Sequence, residues 1–118
     1  GDRDICVERW RANTVYKGGS EEDTPQLKWF WEYATSLSKE HRQKLLLWAT
    51  GWRAIGQTGF AHRPFTIEVT SVETPSEEER LPSVATCSFH LWLPKYSSKA
   101  QLMRKFNLAL EEASFGNC

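Results

Sequence analysis

The sequence predicts a mixed α/β domain, and three observations lead there. The chain is 118 residues long, with 40% hydrophobic and 25% charged residues, which is the size and composition of one ordinary globular domain. A chain of this length buries roughly two-thirds of its unfolded surface, so it can build a core without staples. Apolar residues recur at helical spacing in three stretches and at strand spacing in two. Their order is helix, helix, strand, strand, helix, with no internal repeat and no low-complexity tract.

Residues 1–12 show no clean period and carry several charges, so the opening reads as the end of a connector. The Gly18-Gly19 pair marks a turn. Thr24 can cap a helix whose first position suits Pro25, and Leu27, Phe30, Trp31, Ala34 and Leu37 fall on one face. Ser38 caps a second helix, with Glu40 near its positive end, and Leu45, Leu46, Leu47, Trp48 and Ala49 run to a stop at Gly51. Glycines 51, 56 and 59 describe an irregular loop up to Arg63. Phe65-Thr66-Ile67-Glu68-Val69 alternates as a half-buried strand does. Residues 71–80, with Pro75 and a run of glutamates, read as an exposed, flexible, solvated loop. Residues 88–93 form the second strand, and Pro94 breaks it. Ser98 with Gln101 makes a capping box for a last helix with the stripe Leu102, Phe106, Ala109, Leu110 and Ala113.

Composition excludes several functions. Fifteen basic side chains balance fifteen acidic ones, so the basic excess of a nucleic-acid module is missing. The longest apolar run, Leu45 to Ala49, is far short of a bilayer span, and no secretory leader opens the chain. An intracellular protein of cytoplasm or nucleus is expected. The cysteines are Cys6, Cys87 and Cys118. Their odd number, without CxxC or CxxH spacing, argues against a disulfide framework and against a zinc site, and no cofactor is expected.

Cys87 stands where the loop becomes a strand, a place where backbone is held while the side chain stays reachable. A thiol protease would need a histidine beside it. His90 is three residues on, and strand alternation turns it to the opposite face. His41 and His62 could approach only through the tertiary fold. Thioester exchange suits a lone cysteine better: one thiolate replaces another of similar pKa, so alignment matters more than proton abstraction. Trp29, Phe30 and Trp31 are consecutive and cannot all be buried by one helix face. Phe30 and Trp31 are expected inward and Trp29 partly exposed, as simple surface or as a contact for another protein.

Leu81-Pro82-Ser83-Val84-Ala85-Thr86-Cys87 resembles the catalytic-cysteine segment of HECT-type ubiquitin ligases. Leu91-Trp92-Leu93-Pro94-Lys95-Tyr96-Ser97-Ser98 resembles the family's Leu-x-Leu-Pro-x-Tyr-x-Ser segment. Trp29-Phe30-Trp31, Thr50-Gly51, Gly59-Phe60, Phe65-Thr66-Ile67 and Phe115-Gly116 resemble further family signatures in the correct order. The resemblance implies a HECT C-lobe-like α+β fold over residues 16–118, a small mixed sheet packed with helices, with residues 1–15 joining it to a larger N-lobe ahead of Gly1. It implies that Cys87 accepts ubiquitin from a conjugating enzyme as a thioester and passes it to a lysine of a protein substrate. Thr86 would orient the thioester-linked tail and Phe115 would serve lysine transfer. Ala85 stands where many members have histidine, Ser88-Phe89 replaces the frequent Phe-Asn, and Trp92 takes a position often polar. Those departures put lysine transfer in question and leave open a ubiquitin-binding or scaffolding module that keeps the fold. A thiol protease or deubiquitinase is the third reading.

Overall fold

Alternation along one short segment organises the molecule. In the computed structural model, which describes residues 7–51, 64–72 and 74–113, strand β2 spans Phe65–Thr70 and sends Phe65, Ile67 and Val69 into the core. Before it come helix α1 (Val7–Ala12), strand β1 (Thr14–Lys17), helix α2 (Pro25–Ser36) and helix α3 (Lys39–Thr50). After it come β3 (Ser83–Ala85), β4 (His90–Pro94) and helix α4 (Lys99–Glu112). Single 3-10 turns at Glu77–Glu79 and Thr86–Ser88 flank β3. The expectations for Cys6, for the glycine-marked loop with His62, and for Phe115 to Cys118 lie outside the described residues.

The four strands form one mixed sheet in the order β1-β2-β4-β3. β1 and β4 both run parallel to β2, with Tyr16 opposite Ile67 and Ile67 opposite Leu91. β3 runs antiparallel to β4, pairing Ser83 with Trp92 and Ala85 with His90. Paired residues share a face. Phe65, Ile67, Leu91 and Leu93 are therefore buried together in one cluster with Leu27, Phe30, Leu45, Leu102 and Phe106 from the helices. On the opposite face Thr66, Glu68, His90 and Trp92 are half-buried and Val15 is exposed.

Aromatic rings fill the core at one corner. Trp10 meets Phe30, Trp31 and Phe65 edge-on, at 5.9, 5.4 and 5.3 Å between centroids, an arrangement the ring quadrupole favours. Phe106 lies against Phe30, Tyr33 and Trp48 at 5.3, 5.6 and 5.7 Å. Phe30 and Trp31 point inward and Trp29 is half-buried against the core, as the helix argument requires.

The helix boundaries follow the sequence closely, and the cap chemistry does so in part. Ser38 Oγ accepts the His41 N–H at 3.3 Å, and Gly51 stops α3 in the left-handed conformation, its N–H on Leu47 O at 2.7 Å. Thr24 makes no side-chain cap; its hydroxyl donates to Asp23 Oδ1 instead. Ser98 Oγ accepts from the Gln101 N–H at 3.1 Å, but the Gln101 side chain donates to Glu78 O rather than completing a capping box. α1, β1 and β3 escape a periodicity reading because they are six, four and three residues long. β4 begins at His90 rather than at Ser88, since the 3-10 turn takes residues 86–88.

The acidic segment also differs from expectation. Residues 79 and 80 are exposed as expected, but residues 78–80 are not free: they are tied to the chain that follows β4. Glu78 Oε1 accepts from Ser97 N–H and Oγ, and Tyr96 OH donates to Arg80 O. Lys105 Nζ donates to Glu79 Oε1.

Candidate active site

β3 and β4 form a hairpin whose tip carries Thr86, Cys87, Ser88 and Phe89. The backbone there is unusual. Phe89 has φ 52°, the one non-glycine residue with positive φ among those described. A bulky residue in that region carries a cost of about 1–3 kcal/mol and persists only where its surroundings dictate it. They do so here: the Phe89 ring is 6% exposed, its N–H donates to Thr86 O at 3.3 Å, and its carbonyl accepts from Thr66 N–H at 2.8 Å. Ser88 Oγ donates to Ala85 O at 3.3 Å, closing the same turn. Buried Phe89 thus anchors a tip on which Thr86 and Ser88 are exposed.

The end of α3 supports the tip from beside it. A Cβ placed on Gly51 would lie 3.2 Å from Thr86 Cβ, and Gly51 itself has φ 75°. Both the conformation and the close approach demand glycine. Because α3 ends there rather than begins, its dipole offers the tip no stabilisation of an anion.

The histidines separate. His41 sits at the far end of α3, its Nδ1 2.8 Å from Ser38 Oγ, and a helix of that length is roughly 18 Å long. His62 lies outside the described residues. His90 Nε2 is 3.0 Å from Glu68 Oε1, and its ring overlies Trp92 at 4.2 Å with an interplanar angle of 31°. The alternation argument that turned His90 away from Cys87 does not apply, because Cys87 belongs to the 3-10 turn and the left-handed Phe89 intervenes. Among the described residues no group of three histidine, cysteine or carboxylate side chains could hold a metal ion. None of their helices is long and apolar enough to cross a membrane.

A family profile described as HECT-domain (ubiquitin-transferase) matches residues 1–117. The chain belongs to the HECT family. It is 40% identical over 125 residues to E3 ubiquitin-protein ligase pub3 of Schizosaccharomyces pombe, covering 99% of this chain and 15% of that protein. It is 37% identical to pub1 of the same yeast over 119 residues, 95% of this chain and 15% of the relative. It is also 34% identical to human E3 ubiquitin-protein ligase HACE1 over 123 residues, 98% of this chain and 13% of the relative. This HECT chain therefore spans about one-seventh of the curated relatives it matches.

Two of the positions singled out in the sequence of this HECT chain meet on the hairpin. Ala85 is the strand partner of His90, and Trp92, two residues further, stacks on the same imidazole. Sequence reasoning missed the Glu68–His90 contact, which joins strands 22 residues apart. A second missed feature is Lys105, buried on α4 and bonded to Glu79. Its place inside the stripe between Leu102 and Phe106 was the available signal.

Proposed function

We propose that this chain is the C-terminal lobe of a HECT-type ubiquitin protein ligase and that Cys87 carries ubiquitin as a thioester. The Cys87 thiolate attacks the carbonyl carbon of the ubiquitin thioester on a conjugating enzyme. A new C–S bond forms, the old one breaks, and the conjugating enzyme's thiolate leaves. A substrate lysine amine then attacks the same carbon, the isopeptide C–N bond forms, the amine loses a proton, and the Cys87 thiolate departs. Thr86 orients the linked tail and Phe115 serves the second step. Residues 16–118 make up the lobe, residues 1–15 lead into it and contribute Trp10 and the start of β1 to its core and sheet, and a larger lobe docks the conjugating enzyme.

The hairpin tip carries this reading. A buried Phe89 and paired strands on both sides fix the backbone around Cys87. Near-isoenergetic exchange between thiolates asks for that alignment more than for a strong base. Membership of the ubiquitin-transferase family supplies the chemistry for which such a tip is suited.

The test joins this lobe to a compatible larger lobe and supplies activating enzyme, conjugating enzyme and ubiquitin. A reductant-sensitive adduct is expected, lost in Cys87→Ala and kept in Cys6→Ala and Cys118→Ala. Absence of the adduct, with the conjugating enzyme charged and docked, would overturn the reading in favour of a noncatalytic ubiquitin-binding module.

A further inference from the structure

Lys105 poses a question that folding alone does not answer. It lies on the buried stripe of α4 between Leu102 and Phe106 and is 5% exposed. Burying a cation's surroundings is costly, and an apolar side chain of similar length at such a place is often neutral or stabilising. Stability therefore does not call for a lysine here. Its stem runs out of the core to place Nζ 2.9 Å from Glu79 Oε1, while the Glu79 side chain is 64% exposed. The lysine reaches from the core to hold a surface carboxylate.

Glu79 is the middle of three consecutive residues held in this way. Glu78 Oε1 accepts from Ser97 N–H at 2.8 Å and from Ser97 Oγ at 2.7 Å, and Glu78 O accepts from Gln101 Nε2 at 3.1 Å. Arg80 O accepts from Tyr96 OH at 2.5 Å. Each of these donors comes from the stretch after β4 or from α4. Residues 78–80 lead into β3, and β4 leads out to Tyr96 and Ser97. These bonds therefore close the base of the same hairpin that carries Cys87 at its tip. β3 itself is a three-residue edge strand, and pairing that short is marginal without further support.

We propose that Lys105 is a positioning residue. Together with Glu78 and Tyr96 it clamps the base of the β3–β4 hairpin and so fixes Cys87 for transfer. The clamp stands on contacts in this chain, and its link to transfer rests on the function proposed above. Neither Lys105 nor Glu79 touches the reacting atoms. Their effect passes through the register of the short strand, where a displacement of about 1 Å can cost up to roughly a hundredfold in rate.

The test compares Lys105→Met, Lys105→Arg and the parent chain in three measurements. Thermal melting of the 118-residue chain should be unchanged or higher in Lys105→Met. Amide hydrogen exchange across Ser83–Ala85 should quicken in Lys105→Met while the amides of α2 and α4 stay as protected as in the parent. In the protein joined to a larger lobe, kcat for ubiquitin transfer should fall about tenfold in Lys105→Met, with KM for the charged conjugating enzyme unchanged. Lys105→Arg should restore both exchange protection and kcat. Unchanged exchange in Lys105→Met, or a melting temperature that falls in step with kcat, would overturn the clamp. A parent protein that never charges at Cys87, with exchange still faster in Lys105→Met, upholds the clamp and overturns the transfer reading instead.

Discussion

The aromatic corner and the cysteine hairpin lie in one small sheet and are held by different forces. At the corner, Trp10, Phe30, Trp31, Phe65 and Phe106 are each 0 or 1% exposed and touch ring to ring. Close packing there is non-directional and strong, and it tolerates no missing volume. The hairpin buries Phe89 at its tip and Leu91 and Leu93 along β4, but its base beside the short β3 is held by directed bonds from Lys105, Ser97, Gln101 and Tyr96. Directed bonds have modest net worth, about 0.5–1.5 kcal/mol each, but they fix where a backbone lies. The difference teaches how a fold can stay stable while a functional loop is set by a few polar contacts. Changes at the corner should cost folding, and changes at the hairpin should cost geometry.

Phe106→Ala should break the first half of that comparison with the largest effect. It empties a ring-sized volume between Phe30, Tyr33 and Trp48, and such truncations cost about 3–5 kcal/mol. Urea unfolding reads this directly. A loss under about 1 kcal/mol would show that the corner repacks and is less rigid than its contacts imply. Next comes Gly51→Ala, which places a Cβ 3.2 Å from Thr86 at φ 75°. The left-handed conformation alone costs about 1–2 kcal/mol for a residue with a Cβ. Transfer should fall more than stability predicts, because the strain is delivered to the hairpin tip. An equal loss of both would make Gly51 a helix stop only. Ser38→Ala removes the α3 cap far from the tip and should cost about 1 kcal/mol, with no change in transfer beyond the folded fraction.

The legible parts of the fold are those where one local signal suffices. Pro25 and Gly51 announce helix ends through their backbone preferences, Ser38 and Ser98 through their capping hydroxyls, and the Phe65–Val69 alternation needs no partner to be read. β3 is different: Ser83-Val84-Ala85 is a strand because β4 offers its edge, and nothing in three residues encodes that. Trp10 is likewise buried by rings that arrive from α2 and β2. At the candidate site, Thr86-Cys87 stood out through its likeness to a known motif, and residue chemistry alone offered a lone thiol among three. The clamp was invisible for a further reason. A run of glutamates in sequence looks solvated, and only the fold brings Lys105, 26 residues on, to Glu79. Phe89 in the left-handed region is a tertiary effect of the same kind, since a phenylalanine signals a strand rather than a turn.

Proton concentration should read one group from each region at opposite ends of the pH scale. At the hairpin base, the hydrogen bond from Lys105, followed by its charge, holds the Glu79 carboxyl below its ordinary value of 4.5. A depressed carboxyl contributes stability that is present above 4.5 and is lost as pH falls through the folded value. At the corner, burial pushes the Tyr33 phenol from 10.0 up to about 12. A raised phenol contributes stability that is present below 10.0 and is lost as pH rises toward about 12. Other groups share each limb. Glu21, held low chiefly by the hydrogen bond from Arg11, adds to the acid side; Tyr16, pushed up to about 12, and Tyr96 at the hairpin base, also pushed up, both chiefly by burial, add to the alkaline side. Melting temperature against pH should therefore show a shallower acid limb in Glu79→Gln with the alkaline limb untouched. Tyr33→Phe should do the reverse, after the small constant loss of its bond to Asn107. Should Glu79→Gln leave the acid limb as steep as in the parent, the bond from Lys105 would not be holding that carboxyl low in the folded state, and the clamp would lose its electrostatic support.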